Sequence, residues 1–204
     1  YLHCLQKEYA ALKSLYDLKP MDSWVWKFHR MRPVNFPTRR ISQLANLMTC
    51  QEGLFRKICE TSDYSNMTEL LQAEASEYWQ KHYRFGDKPG KISGTGGKKQ
   101  IEILIVNSIL PLLWVYGKIN NKNEYCDRAI DMAESIPPEN NRITRQWRDI
   151  GIDTISSFET QGLIELTEEY CKNRRCLYCH IGTKLISLDS ERKPQSDLIL
   201  GEPS

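Results

Sequence analysis

The sequence is short of the residues from which catalysis is usually read. Histidine occurs four times, at His3, His29, His82 and His180, and none has a carboxylate partner at a telling spacing. There is no nucleophile elbow and no zinc-protease helix. Glu139, Glu159, Glu165, Glu168 and Glu169 read as helix-surface or capping acids, so the residues alone identify no enzyme. No basic stretch leads into an apolar core at the start, which argues against a signal peptide. The text is helix-like from Tyr1 onward, as expected of a chain that starts part-way through a longer protein. The longest apolar run, Ile101–Tyr116, is too short to cross a bilayer comfortably and is interrupted by Glu102, Asn107, Ser108 and Pro111; no membrane is expected. Internal repeats and heptad runs are absent. The net charge of +2 is too small to select a partner. An even count of cysteines is also lacking: seven thiols on a chain of this length fit a reducing, cytoplasmic setting better than a disulfide scaffold.

What is present is a globular composition, 40% hydrophobic and 26% charged over 204 residues, enough for one ordinary core. Leu2, Leu5, Tyr9, Leu12, Leu15 and Tyr16 recur at three- and four-residue steps, which is one face of a helix that Pro20 stops. Ser23 caps an expected short helix carrying Trp24, Trp26 and Phe28; Pro33 and Pro37 enforce an extended bridge at Val34–Phe36. Thr38 then opens a helix whose apolar stripe is Ile41, Leu44, Ala45 and Met48. A single helix is expected over Met67–Tyr83, with Leu70, Leu71, Ala75 and Tyr78 inward. The glycine-rich stretch 87–99 is the main loop.

Ile101–Tyr116 reads as the most buried element, a central helix kinked at Pro111 and closed by Gly117, with a strand at Ile101–Val106 as the local competitor. Helices over Tyr125–Ser135, Arg142–Ile150 and Ser157–Cys171 follow, the last with Leu163, Ile164, Leu166 and Tyr170 inward. The expected fold is all-α, an irregular multi-helix bundle forming one domain over residues 1–187, with a polar tail at 188–204 that frays.

The strongest chemical signal is Cys171-x4-Cys176-x2-Cys179 followed by His180. Cys176 and Cys179 share a helical face, whereas Cys171 stands about 140° round an ideal helix from Cys176. The three converge only if the helix breaks between them, for which Lys172-Asn173 offers a turn. Clustered thiolates suit tetrahedral zinc, completed as Cys3His by His180, or an iron–sulfur cluster, for which Cys126 is the fourth cysteine in view. Reduced cysteines packed at a helix junction, with no metal, fit the same spacing. Lys172, Arg174 and Arg175 would stabilise thiolates in either case.

The second signal is charge of one sign. From Ser23 to Gln51 there is no Asp or Glu, while Lys27, Arg30, Arg32, Arg39 and Arg40 lie among Trp24, Trp26, Phe28, His29 and Phe36. Guanidinium groups fork onto phosphates and aromatic rings stack on bases, so these five, with Arg174 and Arg175, are candidate nucleic-acid contacts. The same composition suits a structural segment whose arginines pair with acids and whose rings are core. Gly94-Thr-Gly-Gly-Lys98-Lys99 lacks the first glycine and the final Ser or Thr of a phosphate-binding loop.

The string Trp26-Lys-Phe-His-Arg-Met-Arg-Pro33-Val-Asn-Phe-Pro37-Thr-Arg-Arg-Ile-Ser-Gln-Leu-Ala45 is followed by Asn107-Ser-Ile-Leu-Pro111, Tyr116-Gly117, Pro137-Pro-Glu-Asn140 and Cys171…Cys176-Leu-Tyr-Cys179-His-Ile-Gly182. In this order the motifs resemble a bacterial domain-of-unknown-function family common among Bacteroidetes, over nearly the whole chain to about Ile186. The resemblance implies a C-terminal half whose upstream half carries an acid-and-histidine block like that of a metal-dependent nuclease. It supports the cysteine cluster as a family feature and names no ligand set. Three functions follow as expectations: a non-catalytic module assisting nucleic-acid binding by the upstream half, part of a nuclease-like hydrolase, or a structural or oligomerisation domain.

Overall fold

The computed structural model describes residues 1–28, 35–90 and 97–191, with side chains to 188. The fold is all-α, and no strand occurs among the described residues. Two compact units divide the chain, Tyr1–Met132 and Ala133–Ser204, where the sequence alone offers a single domain to residue 187.

The first unit begins with α1, Leu2–Tyr16, which ends where Asp17 turns left-handed at φ 48°. The helix forms as its periodicity requires, yet none of its residues is buried. A single 3-10 turn, Ser23–Val25, replaces the expected second helix, with Asp22 rather than Ser23 at its cap position. Next comes α2, Pro37–Cys50. Pro37, not Thr38, is its first residue, as suits a residue whose φ is already helical and whose missing N–H would be unpaired there. The Thr38 hydroxyl instead donates to the Tyr83 carbonyl at 2.8 Å.

The stripe of α2 is inverted relative to expectation. Ile41, Leu44 and Met48 are 47%, 55% and 65% exposed, while Arg39, Gln43 and Leu47 are buried. Hydrogen bonding accompanies the inversion. The expected single helix over 67–83 is in fact α4, Tyr64–Leu70, and α5, Glu77–Lys81, with α3, Leu54–Glu60, before them. The break between α4 and α5 leaves backbone groups to satisfy. Gln43 Nε2 donates to the Ala73 carbonyl at 3.3 Å, Asn46 Nδ2 to that of Glu74 at 3.0 Å, and the Ser76 amide to Ser42 Oγ at 2.9 Å. The amide-bearing face of α2 therefore lies along this connection, with Leu47 buried beside it, and the apolar stripe turns out.

The long helix Lys98–Ile119 consists of α6, Lys98–Leu104, a π-helical stretch, Ile105–Ile109, and α7, Leu110–Ile119. Pro111 has no N–H to give the Asn107 carbonyl, and the wide turn just before it, in which the Leu110 amide reaches the Ile105 carbonyl, absorbs the misfit without ending the helix. No strand competes at Ile101–Val106. Burial is confined to one face: Ile105 and Leu113 are fully enclosed, whereas Leu112, Trp114 and Val115 are open. Gly117 does not close the element, which runs to Ile119. A Cβ there would lie 2.8 Å from both Cys126 Sγ and the Lys122 carbonyl oxygen, so its role is close approach of the next helix, α8, Asn123–Ser135.

The division between units falls within α8. In the second unit Pro137-Pro138 follows the end of α8, and α9, Arg142–Asp149, starts on a capping box made by Asn141 and Thr144. The helix α10, Ser157–Glu165, continues as a π-helical stretch, Leu166–Cys171; Leu163, Ile164, Leu166 and Tyr170 on it are half-buried. A 3-10 turn, Cys176–Tyr178, and α11, His180–Glu191, complete the unit.

Candidate functional site

The helix from Ser157 ends at Cys171, where the cysteine motif needs it to end. Its last carbonyls are taken by the Asn173 side chain, whose Nδ2 donates to the Glu168 and Glu169 oxygens at 2.9 and 3.0 Å. The chain then turns: the Lys172 and Arg175 amides reach back to the Thr167 and Tyr170 carbonyls, both at 2.9 Å, and Arg174 adopts a left-handed φ of 53°. Cys176 opens the 3-10 turn and Cys179 lies immediately before α11. Gly182 makes this last corner possible, since a Cβ at that position would lie 2.4 Å from the Cys176 carbonyl oxygen.

All seven cysteines are free; Cys171 and Cys176 are exposed and Cys179 is half-buried. His180 is exposed. The donors suit zinc by type, but among the described residues no three His, Cys, Asp or Glu side chains are brought together as a metal-holding group. The backbone supplies the break and the turn without gathering the sulfurs. Cys126 belongs to the first unit, where it is buried and its thiol donates to the Trp114 carbonyl at 3.4 Å.

The basic segment is divided among environments. Lys27 is exposed, and Arg30 and Arg32 lie outside the described residues. Arg39 is only 2% exposed, so it presents no guanidinium to a polyanion at the surface. Arg40 is half-buried and donates to Gln43 Oε1 at 2.9 Å and to Asn35 Oδ1 at 2.8 Å, both neutral amide oxygens. Burial first, and then the neighbouring Arg39 charge, pulls the Arg40 guanidinium below its ordinary value. Arg174 and Arg175 are exposed in the second unit. Of the interleaved rings, Phe36 is core, with the Phe28 and Tyr83 rings at 5.5 and 5.3 Å; Trp24 is open to solvent, as in part is Phe28, and His29 lies outside the described residues.

Two constellations escape a sequence reading. Tyr64 Oη donates to Glu102 Oε1 at 2.5 Å, and Lys98 Nζ stands 5.3 Å from the centre of the Tyr64 ring. Lys98 and Glu102 are one helical turn apart, but nothing local announces a partner 38 residues earlier. The second is an aromatic stack in which the Tyr78 ring lies between Tyr1, at 4.6 Å, and His82, at 4.1 Å.

A family model described as protein of unknown function, DUF2851, matches residues 1–142. The chain belongs to the DUF2851 family. The match takes in the basic segment, the long helix and Pro137-Pro138, and stops before Cys171, so the cysteine motif lies beyond what it covers. No curated protein and no solved structure matches the chain. Within the DUF2851 match, the Lys98–Ile119 helix is long and apolar enough to cross a membrane by length and composition; its Ile101, Ile105, Ile109 and Leu113 face serves the core of the first unit.

Proposed function

We propose that this chain is a non-catalytic helical module that seats an upstream half of the same protein and so assists that half in binding nucleic acid. The observation that carries the reading is the outward apolar stripe of α2. Ile41, Leu44 and Met48 form an i, i+3, i+7 row on a helix whose other face carries the buried Arg39, Gln43 and Leu47 and bonds the α4–α5 connection. Apolar rows of this kind, when contiguous, mark docking faces rather than ordinary surface. Lys27 is the open cation of the described part of the basic segment, Arg40 contributes in part, and the exposed Trp24 offers a ring for stacking.

The test uses the intact longer protein carrying Ile41→Asp together with Leu44→Asp, positions whose exposure lets this unit keep its core. Retention on single-stranded nucleic acid should fall at least about tenfold at fixed salt, since a lost docking row of this size is worth more than about 1.4 kcal/mol. Unchanged retention, with the helical content preserved, would refute the reading.

We also propose that Cys171, Cys176 and Cys179, with His180, take zinc, an iron–sulfur cluster being the second choice. Support comes from the helix end at Cys171 and the corner that Gly182 permits. Binding would require the Lys172–Arg175 turn to tighten. Elemental analysis should find zinc, and Cys176→Ser or a chelator should each lower thermal stability, because binding energy at a structural site is folding energy. A metal-free protein indifferent to chelator would end the proposal.

A further inference from the structure

The helix α1 carries a seam. Leu2, Leu5, Tyr9, Leu12 and Tyr16 are spaced 3-4-3-4, the a and d positions of two successive heptads. They lie on a regular fifteen-residue helix with no buried residue, and each is at least 38% exposed. Apart from Leu15, which falls at g, the large apolar side chains of α1 keep to a and d, the narrow kind of row that receives another helix. Two heptads fall short of the three or four by which a coiled coil is read from sequence, so the structure is what isolates the seam. The N-terminal end of α1 is held in place: the Tyr1 ring is stacked on Tyr78 and its hydroxyl hydrogen-bonds Ser76 Oγ at 3.2 Å. This pre-ordering lowers the entropic cost of association.

The flanking charges choose the occupant. With Leu2 at a, Glu8 falls at g and Lys13 at e. In a parallel, in-register pair the g position of one helix faces the e position five residues on in the other. Glu8 of each copy then meets Lys13 of the other, and two-fold symmetry supplies the pair twice. In an antiparallel pair g faces g and e faces e; with the two helices fully overlapped, this sets Glu8 against Glu8 and leaves Lys13 opposite Gln6 rather than an acid. We infer that a second copy of this chain covers the seam, as a parallel two-stranded coiled coil of α1. Because a two-heptad helix is marginal by itself, the dimer is weak and concentration-dependent. It uses a different helix from the α2 row and stands or falls independently of it.

Sedimentation of the intact chain across a concentration series tests this. The wild type should pass from monomer to dimer as concentration rises. Glu8→Lys and Lys13→Glu should each move the midpoint up at least about threefold, as expected for two exposed pairs at a few tenths of a kcal/mol each turned repulsive. An equimolar mixture of the two variants restores both opposite-charge pairs and should dimerise at lower concentration than either variant alone. A chain that stays monomeric throughout overturns the inference. So does a dimer indifferent to both substitutions, which would mean that another face is buried. Preferential pairing of Glu8→Lys with wild type would overturn the parallel arrangement, because only an antiparallel pair sets position 8 against position 8.

Discussion

The two units are held together by different chemistry. The interior of the first is apolar: Met67, Ile105, Leu113 and Met132 are each 1% exposed or less, and Trp79 and Leu71 extend the same core. In the second, the fully enclosed side chains are Ile136, Ser157 and Thr160, so hydroxyl groups stand where the first unit has methyls. They are all bonded. Ser157 Oγ donates to the Ala133 carbonyl at 2.7 Å, Thr160 Oγ1 to that of Ser157 at 2.9 Å, and the Ser157 amide to the Ile136 carbonyl at 2.8 Å. Around them Gln161 Nε2 donates to Glu139 Oε1 at 2.6 Å, and Trp147 Nε1 to Thr167 Oγ1 at 2.8 Å. Burial of apolar area is non-directional and grows with area, whereas a buried hydroxyl contributes only while its partner stays in place. The first unit is therefore stabilised by volume and the second by geometry.

The largest test of that contrast is Leu113→Ala. Leu113 is fully enclosed on the inner face of α7, and truncation leaves a cavity that the rigid central helix cannot close, costing about 2–5 kcal/mol. Denaturant unfolding with hydrogen exchange should show protection lost over α4, α6 and α7. A cost under about 1 kcal/mol would mean that the first unit is not volume-stabilised.

Ser157→Ala probes the other unit and should cost less, about 1–3 kcal/mol, the penalty for leaving the enclosed Ala133 carbonyl without its donor. Hydrogen exchange should now lose protection in α10. Were the substitution neutral, the hydroxyl network would be incidental to the fold.

The legible parts of the molecule were those decided locally. The helices Leu2–Tyr16, Asn123–Ser135 and Arg142–Asp149 stand where periodicity and the stop at Pro137-Pro138 place helices at the start of the chain, over Tyr125–Ser135 and over Arg142–Ile150. The helix from Ser157 ends at Cys171, as convergence of the cysteines would require. What sequence could not supply was direction. The α2 stripe reads as core by every local rule, yet it faces outward while Gln43, Asn46 and Ser42 bond a connection some thirty residues away. Arg39 lies on the inward-facing side of the same helix, and so a candidate surface cation became a buried one. The α1 spacing was plain; that no element of its unit buries it was not. Likewise Pro111 signalled a kink, and the helix instead runs on through a π-helical stretch, Ile105–Ile109, just before it.

The smallest expected effect separates the two kinds of polar contact. The hydroxyls at the centre of the second unit do not titrate in the accessible range, so their contribution is blind to pH. The polar contact at the edge of the first unit is not. Burial, followed by the hydrogen bond to Glu102 and its charge, pushes the Tyr64 phenol up to about 12, against about 10 in an unfolded chain. The folded state thus keeps a proton that the unfolded state releases, and stability falls with pH wherever the unfolded state binds fewer protons. The contribution is whole below about pH 10, declines as pH rises toward about 12, and is gone above it. Because Tyr64 is partly open to solvent the effect is modest: Tyr64→Phe should cost on the order of 1 kcal/mol near neutrality. It should also flatten the loss of stability between about pH 9 and 11.5 relative to wild type. Glu102→Gln should flatten the same limb in part, since it removes the charge and leaves an acceptor. If the alkaline limbs of wild type and Tyr64→Phe superimpose, the phenol is not held by Glu102, and the edge of the first unit is as insensitive to pH as the centre of the second.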